Sequence, residues 1–237
     1  MPLLVRTWNL FHGNAVPPER RAFLEEMVRL ASADAPGVLC LQEVPVWGLA
    51  HLGAWSGMTS IGAVAARPRL LSAALGKLIT ELDHGRLRSV VTGQANALLV
   101  AQGLSVGEQR TFTVSRRGEG ERRVLQTVRI DELGLVANLH VTSGLADEQF
   151  LRAATIVEEL ADPDEPVILC GDVNVRPGSG RAYGRLSEWG YSEPAPSIDQ
   201  ILVRGLPATP PLVWPEERRR IGGRLVSDHA PVELHVG

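Results

Sequence analysis

"GVLCLQEV" at residues 37–44 is the stretch on which the fold turns. It is apolar through Leu41 and then becomes polar at Gln42 and Glu43, so it reads as a strand buried on both faces that ends in a carboxamide and a carboxylate. A carboxylate at the end of a core strand is costly unless something positive meets it there. An arginine, a helix N-terminus or a metal ion could supply that partner.

Upstream, "LLVRTWNL" (3–10) reads as a strand and "PPERRAFLEEMVRLASA" (17–33) as an amphipathic helix entered through proline, giving a strand, helix, strand opening. Downstream, segment 45–92 is harder to place and holds a helical pattern at 67–83. "NALLVA" (96–101), "EQRTFTV" (108–114), "RRVLQTVRI" (122–130) and "LGLVANLHV" (133–141) read as four successive antiparallel strands. The tip at 115–123, with glycines between two alternating runs, is a hairpin connection whose arginines are expected to form a solvated rim.

A helix at 147–161 follows, and then the opening pattern repeats. The apolar run in "EPVILCGDVNVRP" (165–177) ends in Asp172, with Asn174 two residues further on the same face. Asp199 lies inside the strand pattern of "PSIDQILVRG" (196–205), and Asp228 and His229 directly precede a final strand in "LVSDHAPVELHV" (225–236). No internal repeat or low-complexity linker divides these pieces, so residues 1–237 are expected to share one core as a single domain.

Composition sets the limits. The 237 residues are 44% apolar and 22% charged, as in ordinary globular proteins, and the formal charge of −3 suggests no affinity for bulk polyanions. Of the 24 basic residues only Lys77 is a lysine. No apolar run reaches membrane-spanning length and the N-terminus reads as a strand rather than a leader, so a soluble, cytoplasmic protein is expected, with a monomer favoured. Cys40 and Cys170 lie in apolar strand-like runs and read as core residues rather than as a disulfide or a metal pair.

Taken singly, each polar residue has an ordinary structural reading: an acid or an asparagine at a strand end closes a turn or caps a helix, and a histidine is surface or satisfied core. Asn9, Glu43, His140, Asp172, Asn174, Asp199, Asp228 and His229, however, all fall at or near one end of strand-like runs. Neighbouring buried carboxylates repel and raise one another's pKa, and a hard divalent cation resolves the conflict. Oxygen ligands suit Mg²⁺ or Mn²⁺; zinc would favour closely spaced His and Cys, which this chain lacks. Magnesium usually fills its remaining positions with water and substrate phosphate, which points to phosphate-ester chemistry.

The stretches "TWNLFHG" (7–13), "LQEV" (41–44), "NLHV" (138–141), "GDVN" (171–174), "IDQILV" (198–203) and "SDHAPV" (227–232), in that order, resemble the signature of the endonuclease/exonuclease/phosphatase superfamily, which includes pancreatic-type deoxyribonucleases. Val173 stands where that family commonly has an aromatic residue. The resemblance implies a four-layer α/β sandwich, two mixed β-sheets face to face with helices outside, and a site built from the loops at one end.

It also implies roles. Glu43 resembles the principal metal ligand, with Asn9 and Asp228 completing the shell, and Gln42 lines the same site. Asp172 resembles the group that positions and deprotonates water, Asn174 donates to the phosphate oxygens, and Asp199 orients His229 toward the scissile phosphate. His140 resembles a second histidine near the leaving oxygen. His12, three residues after Asn9, reads either as a phosphate contact or as a turn residue. Three functions are compatible with these residues: a metal-dependent phosphodiesterase or phosphatase acting on a small ester, a structure-specific DNA or RNA nuclease, and an inactive binding scaffold. The arginines at 115–123 and 215–224 bear on the second.

Overall fold

A computed structural model of the chain describes residues 2–68 and 92–237. In chain order the elements are β1 (Leu3–Asn9), β2 (Ala15–Val16), α1 (Leu24–Ser32), β3 (Val38–Val44), α2 (Leu52–Ser56), β4 (Thr59–Ala66), β5 (Gln94–Val100), β6 (Val106–Thr113), β7 (Val124–Ile130) and β8 (Gly134–His140). They continue with α3 (Ala146–Leu160), β9 (Val167–Asp172), α4 (Ala182–Glu188), β10 (Asp199–Arg204), β11 (Leu212–Val213), β12 (Arg220–Ile221), β13 (Arg224–Val226) and β14 (Val232–Val236). Among the described residues these strands form a six-stranded sheet, β11-β14-β1-β3-β5-β4, a five-stranded sheet, β10-β9-β8-β7-β6, and a small β12-β13-β2 sheet. Both large sheets are mixed: β1 runs parallel to β3 and antiparallel to β14, and β9 runs parallel to β8 and antiparallel to β10.

The strict alternation of a strand explains why the sheets stack. Val38 and Cys40 of β3, Leu98 and Val100 of β5, Ile168 and Cys170 of β9 and Ile201 and Val203 of β10 share one apolar cluster between the sheets. Their neighbours Leu39, Leu41 and Leu99 join Leu24, Met27, Val28 and Ala31 of α1. On the far side Leu135, Ala137, Leu139 and Leu169 join Phe150, Ala153, Ala154 and Val157 of α3. The expected four-layer α/β sandwich results, each large buried side chain contributing about 1.5–3 kcal/mol of transfer free energy. Cys40 and Cys170 are fully buried free thiols within it.

Three expectations change. The first helix begins at Leu24 and not at the prolines, because the Phe23 N–H donates to the Gly13 carbonyl at 2.7 Å and ties the preceding segment to another loop. β5 does not continue into the β6–β7–β8 meander; β3 and β4 already occupy its two edges, so the chain crosses to the second sheet. β4 itself is an edge strand drawn from the unplaced segment, and the helical pattern at 67–83 lies almost wholly outside the described residues. Among the described residues no helix is long and apolar enough to cross a membrane.

Toward one end of the sandwich the inward-facing rows turn polar. Gln42 Nε2 donates to Thr7 Oγ1 (3.0 Å) on its own sheet and to Asn138 Oδ1 (2.8 Å) on the other. Asn138 Nδ2 returns bonds to the carbonyls of Leu41 (3.1 Å) and Ala97 (3.0 Å). All three side chains are buried, and their donors are met by the protein, so the network ties the two sheets together directly beneath the site.

Candidate active site

Sheet register brings the site together. Asp199 is paired with Asp172 across β10 and β9, and His140 is paired with Asp172 across β8 and β9, so three strands present polar side chains side by side. Asn9, at the end of β1 on the facing sheet, donates from Nδ2 to Asp172 Oδ2 at 2.9 Å. Gly171 lets β9 come this close to β8: its φ is 139°, and a Cβ there would overlap the Leu139 carbonyl.

Glu43 reaches the site through a backbone irregularity. In a regular strand Gln42 and Glu43 would face opposite ways, but the β3–β5 register shifts between Leu41 and Val44 and Glu43 has φ 52°. Its carboxylate thereby meets His12 Nε2 at 3.3 Å and His140 Nε2 at 3.7 Å. Phe11, His12, Asn174 and Ser227 also have positive φ, between 47° and 59°, so the loops of this end hold uncommon backbone conformations together.

His229 is held at both ends. Its Nδ1 lies 2.9 Å from Asp199 Oδ2 and 3.1 Å from Oδ1, which turns Nε2 toward Asp172 Oδ2 at 3.7 Å and Asp228 Oδ1 at 4.0 Å. Its backbone N–H donates to Ser227 Oγ (3.0 Å), and that hydroxyl donates to the Asn9 carbonyl (2.7 Å). Burial works against protonation of the ring, yet the bond to Asp199 and the charges of Asp199, Asp172 and Asp228 prevail and push its pKa up to about 10. Burial and the Asp199 charge push the Asp172 carboxyl up to about 7. Burial raises Asp199 and Asp228 as well.

His140 is the opposite case. Arg123 Nη1 lies 3.0 Å from its Nδ1 and Gln94 Nε2 lies 2.9 Å away. A guanidinium can only donate, so Nδ1 is an acceptor and the proton of the neutral ring sits on Nε2, 3.4 Å from Asp172 Oδ2. Burial, then the Arg123 charge, hold the ring neutral, well below the usual histidine range.

Asn174 donates its backbone N–H to Asp172 Oδ1 (3.1 Å) and one amide hydrogen to the Val141 carbonyl (3.0 Å). Gln42 lies below the cluster, fully buried, and its Oε1 has no hydrogen-bond partner among the described residues. Asp228 is at the mouth, its side chain 48% exposed. Asp172, Asp199 and His229 offer ligand atoms within 4.8 Å of one another, but Asp199 and His229 already bond each other there, so a cation between them would have to break that pair. Carboxylate oxygens free of that commitment come from Glu43, Asp172 and Asp228.

Residues 7–229 match the Endonuclease/Exonuclease/phosphatase family. The chain belongs to that family. Its members are largely hydrolytic phosphoesterases. No curated protein matches the sequence. Among solved structures, a functionally unknown conserved protein from Enterococcus faecalis V583 is 20% identical, with 99% of each chain covered and a TM-score of 0.70. A mannosyl-6-phosphatase from Bacteroides thetaiotaomicron VPI-5482 is 16% identical, again with 99% of each chain covered and a TM-score of 0.70. The human Nocturnin catalytic domain with bound sulfate anion is 17% identical over 100% of this chain and 93% of that one, with a TM-score of 0.69.

In this Endonuclease/Exonuclease/phosphatase protein the arginine clusters have specific places. Arg123 is not part of a solvated rim: its side chain is 13% exposed and bonds His140, because the antiparallel register, with Leu125 opposite Leu139, sets the start of β7 beside the end of β8. Arg219 is buried and donates to the carbonyls of Ser227 (2.8 Å) and His229 (2.9 Å), bracing the loop that carries the histidine. Arg218 pairs with Glu233 (2.6 Å) and Asp34 (2.7 Å), and Arg220 pairs with Glu216 (3.5 Å). Sequence reasoning missed Arg123 and Gln94 as parts of the site, since nothing in their local pattern marks the distant histidine that both meet, and for Arg219 it offered only a place close to "SDHAPV" without the carbonyls it binds.

Proposed function

We propose that the protein is a Mg²⁺- or Mn²⁺-dependent phosphoesterase that hydrolyses a phosphodiester or phosphomonoester by in-line attack of water. The observation that carries this reading is the convergence of Glu43, Asp172 and the Asp199–His229 pair on one end of the sandwich. The donor set fits a hard cation: burial and then the neighbouring Asp199 carboxylate raise the Asp172 pKa, and the buried Gln42 Oε1 has no hydrogen-bond partner among the described residues. Glu43, Asp228 and Asn9 would hold the ion or its waters. Once bound, it supplies charge neutralisation at the phosphoryl oxygens and lowers the pKa of water.

The chain's own residues do the rest. Asp172, titrating near neutrality and oriented by Asn9 and the Asn174 N–H, accepts the proton of the attacking water. His229 presents a protonated Nε2 to the charge that develops in the transition state, its ring fixed by Asp199. The second amide hydrogen of Asn174 and the Nε2–H of neutral His140 are the further donors available to phosphate oxygens. His12, against Glu43, reaches the same space.

A small or short flexible ester is the favoured substrate. The net charge is −3, and Arg218, Arg219 and Arg220 are engaged in internal contacts, so this cluster is not free to grip the phosphates of a duplex. The test is hydrolysis of chromogenic diesters and monoesters, oligonucleotides and abasic duplex with and without EDTA. Activity lost in EDTA and restored by Mg²⁺ or Mn²⁺ supports the proposal, whereas a zinc-specific requirement counts against this site. Tight duplex binding with a steep salt slope would favour the nuclease, and no turnover of any ester would favour the scaffold.

A further inference from the structure

Beside the cluster, a cavity of about 470 Å³ opens next to Asn174. Its walls are the loop that follows β8 with the first turn of α3, whose exposed Glu148 also lines it, and the loop that follows β9; the strands end in His140 and Asp172. The walls are built closely: Asp147 Oδ1 accepts the Ala182 N–H at 3.0 Å, and Gly180, with φ 90°, approaches that carboxylate so nearly that a Cβ would overlap it. Asp147 is thereby engaged.

Two arginines line this cavity. Arg176 is exposed; its carbonyl accepts the Ser179 N–H at 3.0 Å, and its side chain makes no hydrogen bond or ion pair among the described residues. Arg181 touches Asp147 through Nε at 3.7 Å, its side chain 76% exposed, and its terminal nitrogens make no hydrogen bond among the described residues. Past Arg181 the surface continues into a second depression of about 540 Å³ beside Trp189. An arginine without a carboxylate partner, two residues from a phosphate-donor candidate, presents its guanidinium where a second anion on the substrate would lie.

We propose that this cavity binds a second phosphate group of the substrate through Arg176 and Arg181, so that the preferred ester carries a further phosphate on the Asn174 side of the scissile one. The inference rests on the phosphoesterase reading of the adjoining cluster. It accommodates a protein of negative net charge, since two arginines at one cavity act locally where the whole surface does not.

The experiment compares TpT with the same dinucleotide phosphorylated at its 5′ or its 3′ end. Binding is measured by calorimetry on the full chain in EDTA, and turnover separately with Mg²⁺. One of the phosphorylated dinucleotides should bind at least about tenfold more tightly than TpT, the size expected for a charge-assisted hydrogen bond. Arg176→Ala combined with Arg181→Ala should bring that preference to about one. Arg176→Lys, which keeps the charge without the fork, should retain part of it. Equal binding of all three dinucleotides, or a preference that survives the double substitution, overturns the inference. Binding that follows this pattern without turnover of any ester would instead defeat the phosphoesterase reading and leave an anion-binding cavity.

Discussion

His229 Nδ1 lies 2.9 Å from Asp199 Oδ2 across thirty residues of chain, and this contact decides which ring nitrogen faces Asp172. Asp199 is fixed by sheet register, as the first residue of β10, whereas His229 sits on a loop braced by Ser227, Trp8 and Arg219. A rigid strand thus orients a ring carried by a loop that is itself tied down at several points.

Removing either partner should be severe. His229→Ala is expected to reduce turnover by about two to four orders of magnitude, and Asp199→Asn nearly as much. In the metal-free protein the His229 ring should titrate near 10, and Asp199→Asn should bring that value down, which an NMR titration of the ring reads directly. Because the folded pKa lies above the ordinary 6.5, protonation of the ring contributes stability that is complete below about 6.5 and is lost as pH rises through about 10. Wild-type rates in both variants would remove the pair from the mechanism.

Asp172 gives a second pH signature. Its folded pKa, about 7, is raised above the ordinary 3.8, so its contribution to stability is complete below about 4 and is lost as pH rises through about 7. The metal-free protein should therefore lose melting temperature from pH 5 to 8 by more than Asp172→Asn does. Mg²⁺ or Mn²⁺ at pH 8 should raise the wild-type melting temperature by binding the ionised cluster. Parallel pH profiles for the two proteins would show that this carboxyl is not the group responsible.

Within the 215–224 arginines the effects should differ sharply. Arg219→Ala leaves the Ser227 carbonyl without its buried donor and the His229 carbonyl with Trp8 Nε1 alone, and should destabilise by about 1–3 kcal/mol while lowering turnover. Arg220→Ala, on an exposed side chain, should stay within about 0.5 kcal/mol of wild type. Chemical denaturation distinguishes the two, and equal effects would contradict the bracing role.

Cys40 and Cys170 should resist thiol reagents in the folded protein. Both are fully buried between the sheets, and burial pushes the Cys170 thiol well above its usual range, which suppresses the reactive thiolate. Labelling should appear only with denaturant; rapid modification under native conditions would mean that the sandwich opens.

What the sequence by itself determined was the alternation of strands and helices and the placing of polar residues at strand ends. The runs at 3–10, 37–44 and 133–141 became β1, β3 and β8 with shifts of a residue or so, and 147–161 became α3, because period and burial are written in neighbouring residues. Tertiary structure alone decided how those ends were used. A bulge turned Glu43 to the same side as the inward row, β5 went to the other sheet, Arg123 left the expected rim for His140, and Arg219 went to the histidine loop. A long polar side chain has no local period to reveal its partner; its bond is set by which strand end folding brings within about 3 Å. Main-chain strain at Glu43 and Asn174 is likewise sustained by packing that forms only when both sheets are in place.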